Sequence, residues 1–468
     1  MSLVELGAGR LAGRSGPLRR PDRLIAWPAV LPLLLMVATE YKLRRRDIGE
    51  ALGGRPDIAI IAELAVFAAV TAYCLLTFAT PLRVRRAEPV LYAMWGYAAT
   101  LAISSFYAPY PVMAVVRGTQ LLVVAGVAHA IATRATREHL QLFTQAYTVL
   151  VGASVVIGFV FDFPAFSRLQ EDRFTWLYVH PVIAAVFLAI AVTVGVSHVL
   201  RPVRVPGLFL PRPLALGLLG LNVTGLLLTK TRGSLFGGAL GVMVVIVASR
   251  PRHRRAEMVV VLVASIVGAV VVFWTTILAF LTRGDDAERI GTLSGRTELW
   301  SLAWDAFLER PLFGYGFGAS RGMFYDDVGL GGAHNAYVNV IVDVGLVGLA
   351  WWLFIIGALV VSLRRLARLP SFRRDVAMLQ GVLFCSLGNG LTTEGLGAGV
   401  SVAAIWLFML VAFVIVLQRS AAAPTPPVKA MPPPRTAPDP VAPPLSLAER
   451  TSPEAPVRVR EPITGAAP

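Results

Sequence analysis

Four arginines and one histidine carry the residue types from which a phosphate-handling site is built: Arg173, Arg232, Arg296, Arg117 and His334. Arginine's planar fork binds phosphate oxygens two at a time and stays charged at any relevant pH. An imidazole titrating near pH 6.5 takes up a proton at neutral pH and returns it. Together they suit a site that holds a diphosphate, stabilises its charge as it leaves, and accepts the proton of an attacking hydroxyl. Glu394, beside Thr392 and Thr393, adds a carboxylate, and Asn335 and His180 complete a set read as the acceptor side. No cluster has metal-ligand spacing, although Asp285 and Asp286 offer a loose divalent position. No Walker loop, dinucleotide fingerprint or glycosyltransferase carboxylate pair is present, so ATP, nucleotide-sugars and bound cofactors are not expected.

Each of these residues also has a plainer reading. A lone histidine at a helix mouth is more often bonded to a carbonyl, and a lone arginine serves as often as a lipid-headgroup contact. Arg117 lies about six residues, or roughly 9 Å, into an apolar run at the helical rise of 1.5 Å per residue. It either snorkels to the interface or faces a polar cavity inside the bundle, and the second reading is the one adopted. Convergence of several such groups on one face is what favours chemistry over coincidence.

The elements that must position them follow from composition. The chain has 468 residues, 56% hydrophobic and 15% charged, with mean hydropathy +0.67. Soluble domains run nearer 45–50% apolar with about a quarter charged, so a multi-span membrane protein is expected. The net charge of +15 then belongs to loops facing anionic lipid rather than to nucleic acid binding. Cys74 and Cys385 fall within apolar runs, which argues against a disulfide framework.

Apolar runs bounded by charge predict an all-α integral membrane fold of about twelve helices. They lie near 24–39, 58–79, 90–108, 112–132, 142–161, 179–200, 212–228, 234–249, 258–281, 336–360, 375–390 and 396–417. One long external loop, 282–335, joins the ninth and tenth. Residues 1–23 form a basic cytoplasmic N-terminus followed by a retained first helix, and 24–418 the membrane domain. An even number of spans puts five arginine-bearing connections on the cytoplasmic side, from Arg83/Arg85/Arg86 to Arg364–Arg374, in keeping with the positive-inside rule. Lys42, Arg44, Arg45 and Arg46 break that pattern on the outer side. Arg173, Arg232, Arg296 and His334 all fall externally, as do His180, Asn335 and Glu394, whereas Arg117 lies within the fourth span. Within the long loop, Leu299–Leu308 has helical apolar spacing and ends before Pro311. Next comes Leu312–Gly318, a glycine-rich run suited to close backbone approach. Beyond about Arg419 the final fifty residues hold fourteen of the 32 prolines, so 419–468 is read as a disordered cytoplasmic tail. It is either a passive solvated segment, the commoner case, or a docking strip.

The ordered set SGRTELW (294–300), ERPLFGYGFG (309–318), His334-Asn335-Ala336-Tyr337 and Gly345–Leu349 resembles the O-antigen ligase/polymerase superfamily. Thr229–Ser234 is similar to that family's short external arginine motif, with Thr231 where serine is common. Arg173 with His180-Pro181 is similar to its arginine and His-Pro-Asn element, except that Val182 replaces the asparagine. The resemblance covers about residues 90–415. It implies a GT-C-like, metal-independent glycosyltransferase of the bacterial inner membrane, working on the external face. It implies an undecaprenyl-diphosphate-linked glycan donor, a lipid A-core or glycan acceptor, and polysaccharide-assembly proteins as partners. By the same resemblance His334 is the catalytic base, Arg232 and Arg173 contact the diphosphate, and Arg296 is a weaker third contact.

Two outcomes share these parts. A ligase moves finished polymer to a terminal acceptor, whereas a polymerase extends the chain onto the next lipid-linked repeat. The motif set leans towards the ligase branch. A lipid-linked oligosaccharide flippase or transporter is the alternative from another class. Its expected signature, matched broken helices in two related halves, is missing from this sequence.

Overall fold

A computed structural model describes residues 26–41, 52–53, 57–77, 88–161, 173–175, 178, 180–200, 202, 204–205, 208–282, 296–328, 331–397 and 399–422. The N-terminal basic segment, the Lys42–Arg46 cluster, Asp285, Asp286 and the tail from 423 lie outside the described residues. Fifteen α-helices lie within them. The first five are α1 (Trp27–Glu40), α2 (Ile58–Thr77), α3 (Pro89–Ser104), α4 (Pro111–Arg134) and α5 (Arg137–Val160). Then come α6 (Pro181–Leu200), α7 (Arg212–Leu228), α8 (Arg232–Ala248), α9 (Arg255–Val272) and α10 (Trp274–Thr282). The last are α11 (Arg296–Glu309), α12 (Ala319–Val328), α13 (Ala336–Leu366), α14 (Arg373–Gly390) and α15 (Val402–Ala422). A two-residue ladder pairs β1 (Arg204–Val205) with β2 (Leu208–Phe209) in the turn before α7.

The twelve apolar runs all fall on helices. Crossing a hydrocarbon core of about 30 Å needs roughly 20 residues, and seven helices meet that length and apolarity. They are α2, α4, α5, α6, α9, α13 and α15. The helices α1, α7 and α8 are apolar but shorter, so helix length does not by itself establish a count of twelve. The chain is a multi-pass membrane protein, and apart from the β1–β2 ladder the regular structure of its described residues is helical. Inside the expected long loop, α11 covers the amphipathic stretch and stops at Glu309, as the proline two residues later requires.

The core is organised around α15, buried from Val402 to Leu417. Trp406 meets Phe143 at 4.8 Å and Tyr147 edge-on at 5.1 Å. Beside it, α8 and α14 approach closely. Gly233, Gly237 and Gly241 recur every four residues along one stripe of α8, opposite a turn and helix carrying Thr392, Asn389 and Cys385. A Cβ on Gly237 would fall 2.4 Å from Asn389 Nδ2, and one on Gly241 2.7 Å from Cys385 Cβ. Small residues at helical spacing let backbones touch where apolar side chains gain nothing over lipid.

The two ends of the bundle differ. At one end Arg137 pairs with the buried Asp375 and donates to Ser371 O at 2.8 Å. Arg419 donates to Ala132 O at 2.6 Å, and Arg374 Nη2 lies 3.2 Å from His198 Nδ1. The arginine-bearing turns at 134–137 and 364–374 therefore share that end. The start of α6, α8, α13 and α15 and the finish of α1 and α14 lie at the other. There the glycine-rich run docks on a break in α13: Leu346 N donates to Pro311 O at 2.8 Å and Gly316 N to Asp343 O at 2.8 Å. Gly345 makes the break with φ 57°, and a Cβ there would sit 2.6 Å from Leu312 O. Two motifs separated in the sequence are thus one structural lock.

Candidate functional site

The turn Thr229–Ser234 links α7 to α8, with Lys230 in left-handed backbone at φ 49°. Arg173 clamps this turn. Its Nε donates to Thr229 O and its Nη2 to Thr231 Oγ1, both at 2.9 Å. Thr231 is buried and caps no helix through its side chain, so its hydroxyl is used to hold Arg173 beside Arg232, the first residue of α8. A hydroxyl is all that contact needs, which explains why threonine serves where the resemblance has serine.

His180 stands just before α6. The Val182 N–H donates to its Nδ1 at 3.2 Å, which leaves the neutral ring carrying its proton on Nε2. Burial, then the nearby charge of Arg173, then His334 push its pKa down to about 4. His180 is therefore neutral at physiological pH and serves as a donor rather than a base. The unfolded chain protonates near 6.5 and the folded one near 4, so between those values the unfolded state binds more protons. Stability is lost as pH falls through that window and is flat above it, by about 3 kcal/mol at most. The thermal midpoint of the purified protein should fall between pH 7 and 4.5, and His180→Gln should flatten that slope.

His334 lies one residue before the cap of α13 and is itself left-handed, with φ 51°. Such a conformation in a non-glycine residue costs energy and persists only when its surroundings enforce it. The enforcement is visible on both sides. Trp300 Nε1 donates to Ala333 O at 3.1 Å, and Ala333 N donates to Asn339 Oδ1 at 3.0 Å. Asn335 caps α13, accepting from Tyr337 N at 2.9 Å and Val338 N at 3.2 Å, and its amide reaches Leu391 O at 3.4 Å. Glu394 Oε1 accepts the His334 backbone N–H at 3.2 Å and lies 3.6 Å from its Nδ1. That last distance is too long for a hydrogen bond and is an ion-pair spacing. Gly332, with φ 95°, makes the room: a Cβ there would be 2.2 Å from Glu394 Oε1. The His334 side chain is 38% exposed, so a substrate can reach it.

The structure thus gathers Arg173, Arg232, His180, His334, Asn335 and Glu394 around the start of α6, α8 and α13. Helix N-termini add partial positive charge there. Arg296 opens α11 and is placed by its backbone alone. Arg117 is partly committed elsewhere: its Nη1 donates to Glu63 Oε1 at 2.7 Å and Gln120 Oε1 at 2.9 Å. The intramembrane arginine is paired across helices, not snorkelled. Glu63, 3% exposed at its side chain, was not among the residues singled out from the sequence, although an acid inside IAIIAELAVF was a visible signal. Among the described residues no three His, Cys, Asp or Glu side chains gather as a metal site.

Residues 216–353 match the family model described as O-antigen ligase. That stretch is similar to the O-antigen ligase/polymerase superfamily. No curated protein matches the chain. The matched part runs from α7 into α13 and contains Arg232, Arg296 and His334. Arg173, His180, Arg117 and Glu394 lie outside that stretch, and tertiary packing brings Arg173, His180 and Glu394 to it. The family is one of glycosyltransferase-like enzymes, and the match supports a ligase- or polymerase-type role in surface polysaccharide assembly.

Proposed function

We propose that this protein transfers a glycan from an undecaprenyl-diphosphate carrier to an acceptor hydroxyl at the external face of the bacterial inner membrane. The observation that carries the reading is the His334–Glu394 pair standing beside Arg173, His180 and Arg232, at the end of the bundle opposite its arginine-rich turns. The positive-inside rule assigns such turns to the cytoplasm, which supports a site on the outer side, where the lipid-linked glycan would be used.

With Nδ1–H turned to Glu394, Nε2 of His334 is the free base. The acceptor oxygen attacks the anomeric carbon, its proton passes to Nε2, and the bond from that carbon to the diphosphate oxygen breaks. The carrier diphosphate departs with the bonding pair. Arg173 and Arg232, joined by Arg296 and the neutral His180 donor, stabilise the charge that develops on it. Charge stabilisation by guanidinium forks makes a metal ion unnecessary in this scheme. Lipid A-core is the favoured acceptor and ligase the favoured activity, on the motif set alone.

In cells lacking the protein, carrier bearing finished polymer identifies a ligase, and carrier bearing single repeat units identifies a polymerase. Units held on the cytoplasmic leaflet would replace both readings with a flippase. Arg232→Lys as the only copy should reproduce the null pattern, because an ammonium keeps the charge and loses the fork. Normal surface glycan in that strain would overturn the assignment.

A further inference from the structure

The helix α13 gives a depth scale for the residues packed on it. Arg364 and Arg365 occupy its basic last turn, and about 19 residues, or roughly 28 Å at the helical rise, separate Arg364 from the break at Gly345. A hydrocarbon core is about 30 Å thick. Along this stretch the outward side chains are apolar, with Leu346, Trp351, Leu353, Phe354 and Val361 exposed. Before the break, Asn339, Val340, Val342, Asp343 and Val344 are buried in protein instead. The break thus lies at the boundary of the apolar layer, at the end of the bundle that carries His334.

A patch of large apolar side chains sits at that level. Leu346 N and Val347 N fasten the loop after α11 there, donating to Pro311 O and Leu312 O at 2.8 and 3.1 Å. Tyr107, in the turn between α3 and α4, donates its hydroxyl to Phe313 O at 2.8 Å. Trp304, Leu308, Leu312 and Phe313 are each more than half exposed. The opposite face of α11 is packed, since Leu299, Ala303 and Ala306 join Phe324 and Val342 in a buried cluster. On the exposed side Trp304 and Leu308 form one row, and Ser301, Asp305 and Glu309 form a polar row beside it. A helix with one apolar and one charged edge suits an interface between water and lipid. Next to the patch opens a hollow of about 440 Å³, lined by Tyr107, Arg310, Pro311, Leu312, Phe313 and Gly314. The Arg310 guanidinium stacks over the Tyr315 ring at 4.5 Å, and among the described residues it enters no ion pair.

We propose that the Trp304–Phe313 face docks on the bilayer leaflet nearest His334, with Leu312 and Phe313 in the acyl boundary and a phospholipid phosphate on Arg310. Depth, apolar side chains and one held guanidinium match the two halves of that lipid. A glycan would need hydrogen-bond partners in the hollow, and the Tyr107 hydroxyl is already spent on Phe313 O. Trp300, on the same helix, holds Ala333 O next to His334 at 3.1 Å. Docking of α11 therefore also fixes the height of His334 above the apolar layer.

The test uses the full chain in vesicles of phosphatidylethanolamine and phosphatidylglycerol. Cys74→Ser removes the part-exposed thiol, and Cys385 is buried. A fluorophore is attached at Phe313→Cys and, as the water-facing reference, at Asp305→Cys; Leu308→Cys gives the same reading if Phe313→Cys fails to fold. A nitroxide high on the acyl chain should quench the Phe313 probe and spare the Asp305 probe, and iodide in the water should do the reverse. Replacing the phospholipids by a phosphate-free galactolipid should weaken the nitroxide quenching by up to about 5-fold, the worth of one basic residue at a phosphate surface. Arg310→Gln should show the weaker quenching in both lipids. Quenching that ignores the lipid change and Arg310→Gln alike would overturn the phosphate site. A Phe313 probe open to iodide and untouched by the nitroxide would overturn docking, and its protection by added core oligosaccharide would give the hollow to a glycan.

Discussion

His334→Ala lowers glycosyl transfer by at least about 100-fold while leaving expression, membrane insertion and thermal midpoint close to wild type. The size follows from what a positioned base contributes, about 10²–10⁴-fold. The lack of a folding cost follows from the environment. His334 is 38% exposed, and alanine removes no packed core atom. The contacts that shape the loop are made by its neighbours: Ala333 to Asn339, Trp300 to Ala333, and Asn335 to the first turn of α13. Alanine keeps the backbone N–H that Glu394 accepts at 3.2 Å. Glu394→Gln should be milder, on the order of 10-fold, because the amide still accepts from that N–H but no longer stabilises the imidazolium. Transfer from a lipid-linked donor by purified protein measures both. Retained transfer in His334→Ala would remove the base from the mechanism.

Gly241→Leu, in contrast, prevents the bundle from assembling. Gly241 faces α14 so closely that an added Cβ would lie 2.7 Å from Cys385 Cβ, 2.7 Å from Thr193 Oγ1 and 2.9 Å from Gly381 O. Real Cβ atoms do not approach so near, and one of the three obstacles is backbone. Overpacking a filled interior costs about 1–3 kcal/mol where neighbours can shift, and more where they cannot. Here α8 must withdraw from α14 and α6 together, since both lie against the same glycine. That displaces Arg232, nine residues earlier at the start of α8, relative to Arg173. The expected result is loss of monodisperse protein in detergent extracts and of transfer in parallel. Gly241→Ala should show a reduced thermal midpoint and partial activity, and a leucine variant with wild-type stability would refute the close packing of α8 on α14.

Much of this architecture was legible without a structure, for physical reasons that differ by feature. Helix positions followed from apolar runs, because lipid forces every backbone group into local hydrogen bonds, so the chain has little choice where it is apolar. The separation of the arginine-rich turns from the site followed from charge, because guanidiniums do not cross the bilayer readily. Arg232 and His334 were marked by motifs that are continuous in the chain, and each motif is continuous because one helix start carries it.

Other features depended on packing between distant segments. Glu394 lies 60 residues from His334 and Glu63 54 residues from Arg117, and no period or spacing encodes such pairs. Asn335 has a structural role that includes one such distant contact: its side chain caps α13 and its amide reaches Leu391 O, 56 residues away. The length and chemistry of each segment are properties of the sequence, read one helix at a time. Which side chains share a hollow is settled only when the glycine stripe of α8 meets α14 and the break at Gly345 receives the loop that carries α12.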